Sequence, residues 1–557
     1  MKTQHIITTA AALAAILTTT TWPAPAAEPP APYGAVPTEQ QIQWQRLEWY
    51  AFVHYGLSTY SQGVDFAYGD EDPALLDPSD FDANEIVEIC KEAGMTGLIF
   101  TAKHHVGFCH WPTESTEYNI TKSPWKDGKG DMVRDFADAC KKHGMLYGIY
   151  ISPWDRNSAE YGQPGYRDIF YKQIEESLDN YGDIFEMWFD GCTWGDGYYG
   201  GAREMRLVDD ADTYYGFAHV AEIIRKKQPN CIIWGAEGHG DVVWGGSEAG
   251  TVKYPNWNVT TAVGHATESA PRNLPDTPAP NERWMPFEAD TSITMWFWFW
   301  HRGHLTHLIS PKRLMNGVYM NSVGRGANLI LNLPLDEDGK LNSHAKDVLV
   351  RFAEARRKLL DKDYALNAKG TASNVRGGDI QQFGPEKLTD NDIESYWCTD
   401  DDSTTGEVEL ILDAPATFDV VRVREQIRLG QRVQNFAVDA WVDGKWVTID
   451  ADEANGKSIG NQVMRRVQPT TTDKVRLRIT KSRACPCISE LSLLKMPDES
   501  ELEFTTCEEI QIYLSHFEPW MLISGGIILL LAVLVLVGTV IKVRRRKRAR
   551  RETKVTP

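Results

Sequence analysis

Four apolar runs in the first half of the chain each end in side chains able to bind or attack a polar molecule. Tyr50 to Val53 ends in His54. Gly97 to Thr101 runs into Lys103-His104-His105. Met145 to Ile151 runs into Ser152-Pro153-Trp154-Asp155-Arg156, and Asp183 to Phe189 ends at Asp190. If these runs are buried parallel strands, Asp190 sits at the C-terminal tip of one, where α/β barrels keep their chemistry, and the other three ends open at the same mouth. Taken alone, Asp190-Gly191 reads as a strand-capping turn and a single strand-end histidine as a structural hydrogen bonder. Four loaded ends in succession argue for a site. Imidazoles, indoles and carboxylates around a concave mouth suit a polyhydroxylated ligand, because rings stack on its apolar face while polar groups bond its hydroxyls. A metal pair at His104-His105 is disfavoured: neighbours on an extended backbone point apart, and no third ligand follows at metal spacing.

Hydrolysis of a glycosidic bond requires two carboxyl groups. Asp190 supplies one. The second is sought on a later loop, where Glu237, Glu248 in GGSEAG (Gly245 to Gly250) and Glu288 in WMPFEAD compete. Glycines on both sides let the Glu248 backbone approach a ligand, but spacing alone does not separate the three.

The elements that must position these residues alternate. Helical periodicity at Asp82 to Ala93, Asp131 to His143, Tyr166 to Asn180, Ala211 to Gln228, Leu308 to Tyr319 and Asn342 to Leu360 is interleaved with strand-like runs, the later ones at Cys231 to Gly235 and Asn328 to Asn332. More than four βα units in series favour a (β/α)8-type barrel, assigned to 40–362. From about Ala365 short alternating strands punctuated by turns replace this pattern, which predicts an all-β jelly-roll sandwich over 365–496.

The 557 residues are 42% hydrophobic and 24% charged, as expected for a globular protein with a large core. The net charge is −19, and the last sixteen residues carry nine bases and one acid, leaving about −27 on the rest. That balance excludes nucleic acid as a partner. Residues 1–26 resemble a secretory leader and 27–39 a Pro- and Ala-rich linker. Residues 497–519 read as an acidic stalk. The 22 uncharged residues 520–541 are long enough for a membrane-spanning helix, and 542–557 form a basic tail, so the chain is expected to be exported and anchored with its bulk outside the cytoplasm. Nine cysteines carry no strong metal spacing; Cys485-Pro486-Cys487 reads as an incidental pair or a structural bridge.

WYAFVHYG (Trp49 to Gly56), FTAKHHVGFCHWPT (Phe100 to Thr113), YISPWDR (Tyr150 to Arg156), EMWFDG (Glu186 to Gly191) and SVGRGANLILNLPLDEDG (Ser322 to Gly339) together resemble the α-L-fucosidases of glycoside hydrolase family 29 over roughly Gln40 to Leu360. The resemblance implies Asp190 as nucleophile and Glu248 as acid/base of a retaining mechanism without a cofactor. His54, His104, His105 and Trp154 would hold fucose, with Tyr150, Trp188, Glu288 and Trp298 as further contacts. The GGSEAG loop resembles the subgroup acting on α1,3- and α1,4-linked fucose of branched glycans. Val106 stands where the family usually has aspartate. KLTDNDIESYWCTDD (Lys387 to Asp401) resembles the discoidin-like family 32 carbohydrate-binding modules, which implies a structural calcium with Lys387, Asp390, Asp392 and Glu490 as candidate ligands. Two rival readings stand beside the fucosidase: a surface carbohydrate-binding protein on an inactive barrel, and a retaining exo-glycosidase for another sugar.

Overall fold

The computed structural model describes residues 27–61, 67–191, 195–261, 274–451, 457–515 and 542. Eight parallel strands form one sheet: β1 (Trp49–Val53), β2 (Gly97–Lys103), β3 (Leu146–Ile151), β4 (Ile184–Trp188), β5 (Ile232–Trp234), β6 (Val243–Trp244), β7 (Phe287–Ser292) and β8 (Asn328–Asn332). Their spatial order is β5-β4-β3-β2-β1-β8-β7-β6, so consecutive strands are neighbours all the way round. The ends of that row, β5 and β6, are joined by Asp241: its N–H donates to the Ile233 carbonyl at 2.9 Å and its carboxylate accepts from the Ile233 N–H at 2.8 Å, while Arg225 holds the carboxylate. One aspartate thus closes the barrel where strand pairing stops.

Helix α1 (Glu39–Gln45) was not marked in the sequence, whereas α2 (Ala83–Glu92), α3 (Met132–His143), α4 (Tyr166–Asn180), α5 (Phe217–Lys227) and α6 (Ser343–Asp361) fall on helical periodicity. Asp82 and Asp131 cap α2 and α3 by accepting backbone N–H groups, and Gly144 ends α3 in the left-handed region. The helix expected over Ala211 to Gln228 breaks at Gly216, φ +65, into two pieces. That expected over Leu308 to Tyr319 starts at Pro311 and widens into a π-helical turn at Leu314–Val318.

The second unit is an antiparallel seven-stranded sheet around its own core, with Trp397, Leu410, Val423, Phe436, Val438, Leu477 and Leu491 buried. Its strands include β9 (Lys369–Ala372), β10 (Trp397–Cys398), β11 (Gly406–Glu425), β12 (Val433–Val442), β13 (Lys445–Asp450), β14 (Val463–Ser482) and β15 (Cys487–Leu494). The short strands expected at Glu407 to Leu412 and Val420 to Glu425 are one long strand, β11, bent where its register shifts. Glu48, φ +61, fastens the two units: its carboxylate accepts from Arg356 of α6 at 2.9 Å and from Arg424 of β11 at 3.1 Å.

The fold class needs correcting at its C-terminal end. No helix among the described residues is long and apolar enough to cross a membrane. The last one, α7 (Thr506–Ser515), has ten residues including Glu508 and Glu509. It reaches about 15 Å, half of a bilayer's hydrocarbon thickness. The leader-like 1–26 and the apolar 520–541 lie outside the described residues. The acidic stretch after 497 is laid against the barrel: Lys312 pairs with Glu499 and Glu503 at 2.9 Å, Lys358 with Glu501 at 2.7 Å and Arg351 with Glu508 at 3.1 Å.

Candidate active site

Alternation along the strands stacks inward side chains in layers. At the bottom lie Tyr50, Glu186 and Glu288; above them are Phe52, Trp188, Tyr150 and Trp234. Trp188 stacks on Trp234 at 3.5 Å and on Tyr150 at 5.3 Å. These rings floor the mouth. One step further up the strands come His54, Asp190 and Asn332, joined by the His104-His105 turn.

Asp190 is the partly open carboxylate of this layer, its side chain 28% exposed. Tyr150 donates its hydroxyl to Oδ2 at 3.0 Å, and His105 Nε2 lies 3.7 Å from the same oxygen. His105 is turned that way by Ser152, whose Oγ is 2.7 Å from Nδ1. His104 stacks on Tyr150 with rings 9° from parallel, and His54 meets His104 edge-on at 5.2 Å. Trp154 packs on His105 at 5.0 Å and is fixed by donating Nε1–H to Tyr199 at 2.9 Å. Trp298 lies beside His54 at 5.1 Å. The structure therefore brings together His54, His104, His105, Tyr150, Trp154, Asp190 and Trp298, with Trp188 beneath them.

The tautomer of His54 follows from its partner. Asn332 donates its amide N–H groups to Ser292 Oγ at 3.1 Å and to the Trp298 carbonyl at 2.8 Å. Its Oδ1 therefore faces His54, whose Nδ1 at 2.9 Å must donate, leaving Nε2 as an acceptor. Burial pushes all three imidazoles below the usual histidine range: His54 to about 3, His105 to about 4 against the pull of Asp190, and His104 well below it, with the His105 and His54 charges adding to burial. They are neutral hydrogen-bonding groups at neutral pH. Because their folded values are depressed, the stability tied to them is present above about pH 6.5 and is lost as pH falls toward 4.

Glu248 stands on the loop after β6, two strands round the ring from β4. Strand ends two apart are separated by roughly 10 Å, a span that long loops can narrow. Gly245 N–H donates to the Glu288 carbonyl and Gly250 N–H to the Asp290 carbonyl at 2.9 Å, so the loop is pinned to β7 at both ends. Gly250 sits at φ +69, and a Cβ there would come within 2.8 Å of Thr291 and Val318. Asp290 faces this loop. Trp244 donates Nε1–H to it at 2.5 Å, and burial, followed by the Glu248 and Glu288 charges, lifts its carboxyl well above the usual range. Glu237 follows β5 and shares a cleft of about 200 Å³ with Asp190, Val208 and Phe217.

Glu288 is not at the mouth. It is fully buried in the bottom layer, where Tyr50 donates to Oε2 and Trp188 donates to Oε1 at 2.8 Å. Its position at the start of β7, a full layer beneath the mouth, explains why a strand-end reading misplaced it. Glu186 is its neighbour, accepting from Trp44 at 2.8 Å, with the Tyr50 hydroxyl oxygen 3.0 Å from the same carboxylate oxygen. Burial raises both carboxyls, Glu288 to about 7 and Glu186 well above the usual carboxylate range, with the Glu288 charge adding to the shift on Glu186. The stability tied to these raised values is full below about pH 4.5 and is lost as pH rises through about 7. Glu186→Gln keeps an oxygen for Trp44 and offers an N–H to Glu288. Its melting temperature is expected to fall several degrees less than the parent's between pH 6 and 9, as thermal denaturation in that range will show.

The candidate calcium ligands do not form a cage. Glu490 lies on β15 between Arg422 and Arg424, the latter at 3.3 Å, and those charges hold its carboxyl below the usual range although burial opposes them. Asp390 accepts from Ser395 at 2.7 Å and from the Asp392 N–H at 3.0 Å, with the Lys387 ammonium 3.5 Å away where a cation would compete. Asp392 accepts from the Glu394 N–H. Glu490→Gln, which leaves the Arg422 guanidinium facing no carboxylate while Arg424 keeps Glu48, is expected to cost about 3 kcal/mol in denaturant unfolding, and added calcium is expected to leave the parent's melting temperature unchanged.

Phe299, Asn332 and Asp290 went unmarked in the sequence, and Ser152 was named only as part of a strand end. Phe299 meets His104 edge-on at 4.9 Å. Ser152 and Asn332 end strands just as His54 does, and that position was the available signal. Val106 is buried, and the carboxylate facing its loop comes from Asp155, which pairs with Lys103 at 3.3 Å. Gly107 at φ +86 makes room for that carboxylate, since a Cβ there would meet Asp155 Oδ1 at 2.2 Å.

A parallel eight-stranded barrel with a carboxylate, three neutral imidazoles and an aromatic floor at the C-terminal ends of its strands is the architecture of a barrel glycosidase. The α-L-fucosidase family model matches residues 33–354, and the F5/8 type C domain model matches 369–491. Putative α-L-fucosidase 1 of Oryza sativa subsp. japonica is 35% identical over 83% of this chain and 85% of its own. A glycoside hydrolase 29 family member from an unknown rumen bacterium superposes with a TM-score of 0.73 at 36% identity, covering 85% of this chain and 79% of that one. A Ruminococcus gnavus family 29 fucosidase in complex with fucose superposes with a TM-score of 0.73 at 28% identity, covering 86% of this chain and 98% of that one. The chain belongs to the α-L-fucosidase family, glycoside hydrolase family 29, and carries an F5/8 type C domain behind its barrel.

Proposed function

We propose that the protein is a retaining exo-α-L-fucosidase that removes terminal α1,3- or α1,4-linked fucose from branched glycans. The observation that carries this reading is Asp190, a partly open carboxylate aimed by Tyr150 and His105 beside three neutral imidazoles. The fucose-bound R. gnavus relative supports the choice of sugar. Asp190 attacks the anomeric carbon as Glu248 gives its proton to the departing glycosidic oxygen, forming a fucosyl ester on Asp190. Glu248, now a carboxylate, takes a proton from water, which attacks the anomeric carbon and frees Asp190. His54, with Nε2 as acceptor, His104 and His105 bond sugar hydroxyls, while Trp154 and Trp298 pack on the ring. The sequence of the GGSEAG loop supports the linkage preference, and the leader-like first 26 residues support export. A panel of nitrophenyl glycosides beside branched fucosyl oligosaccharides tests this: free fucose from the branched substrates is expected, while binding without release, or turnover of another sugar, contradicts it.

A further inference from the structure

The second unit holds a cluster that the fucosidase chemistry does not use. β10 pairs antiparallel with β15, and the register sets Cys398 directly opposite Cys487. Their sulfurs are 3.3 Å apart. Cys485, at the start of the Cys485-Pro486-Cys487 turn, brings a third sulfur 4.0 Å from Cys398, and all three lie within 4.8 Å of one another. Each is buried, with Phe383 beside them. Sulfurs bound about 2.3 Å from a zinc ion in a tetrahedron stand about 3.8 Å apart, which is the scale of these separations.

The charge around the cluster points the same way. Arg432, almost fully buried, donates Nη1–H to Cys485 Sγ at 3.2 Å and Cys487 Sγ at 3.4 Å. The other bonds of its guanidinium go to the carbonyls of Cys485, Leu429 and Ala31, which carry no charge. Three thiolates, one divalent ion and one guanidinium sum to zero, the condition under which such a group can be buried. A disulfide between any two sulfurs leaves the third with no such role. Asp401 Oδ1 lies 3.7 Å from Cys485 Sγ, on the exposed side, and offers an oxygen as a fourth ligand.

We propose that Cys398, Cys485 and Cys487 hold one structural zinc-class ion, with Asp401 or water completing its shell. The site fastens the start of the described chain to the second unit. Ala31 is bonded by Arg432, and Glu28 by Arg376, which also grips Asp401 with two bonds at 2.7 and 3.0 Å. Ligand thiols give up protons on binding, so affinity rises with pH.

The test is titration of the reduced, chelator-treated full chain with Co2+, whose thiolate complexes absorb by sulfur-to-metal charge transfer. One equivalent is expected to bind with that absorption, to be displaced by Zn2+, and to raise the melting temperature. The band is expected to be lost in Cys398→Ser and Cys487→Ser and kept in Cys507→Ser, whose cysteine is exposed elsewhere. Retained turnover of an aryl fucoside by the two altered proteins verifies that they fold. Absence of the band although all thiols react with a thiol reagent overturns the proposal. So does a band that survives in both variants, or a Cys398–Cys487 disulfide found by peptide mapping of the native, unreduced chain.

Discussion

Asp190→Ala lowers kcat/KM on α-L-fucosides by about 10⁴-fold or more, because no covalent intermediate forms without its carboxylate. Fold stability is expected to change little. Asp190 is partly open, and the bonds it gives up, from Tyr150 and towards His105, lie at the mouth while the aromatic floor beneath stays packed. Azide should restore turnover of an aryl fucoside by entering the space the carboxylate leaves. Direct displacement from that face yields the inverted fucosyl azide, which NMR of the product identifies. Near-normal turnover by the variant, or a rescued product of retained configuration, contradicts the nucleophile role.

Glu248→Gln has the second largest effect, and its size depends on the leaving group. General acid assistance is worth roughly 10²- to 10⁴-fold. The loss should approach the upper figure for a fucosylated oligosaccharide, whose departing alkoxide needs a proton, and shrink for an activated aryl fucoside. Here azide attacks the fucosyl-enzyme, so the rescued azide keeps the substrate's configuration. The two rescues therefore give opposite anomers, and the pair of products assigns the two carboxylates without reference to any relative. Glu237→Gln is the control, because Glu237 shares a cleft with Asp190. A leaving-group-dependent loss in Glu237→Gln, with Glu248→Gln active, would transfer the acid role to the β5 loop.

Much of the barrel was legible because parallel strands buried on both faces read as continuous apolar runs and two of the helices, α2 and α3, carry Asp caps. β1 to β4 and the ends that bear His54, His104, His105, Trp154 and Asp190 were readable in that way. β6, two residues long, left no signal, and the seam it makes with β5 depends on Asp241, whose role no local pattern announces. Glu288 looked like a strand-end acid because sequence gives a strand's face but not its height in the barrel. Its partner Glu186 comes from over a hundred residues away and belongs to the motif that ends in Asp190. Glu490 was read as a cation ligand because a carboxylate is equally suited to a metal or to two guanidinium groups; Arg422 and Arg424 occupy it. Cys485 and Cys487 were marked as a pair, but Cys398 was not joined to them, since it is 87 positions from Cys485 and only strand pairing brings them together.

The central claim is that the sugar passes through an ester on Asp190. Incubation of the full chain with a 2-deoxy-2-fluoro-α-L-fucosyl fluoride slows hydrolysis of that ester, and mass spectrometry of the digested protein then locates the label. The account predicts one fluorofucosyl group on the peptide containing Asp190, and its loss as the protein regains activity. Label on any other carboxylate, or full turnover with no labelled intermediate, would contradict it.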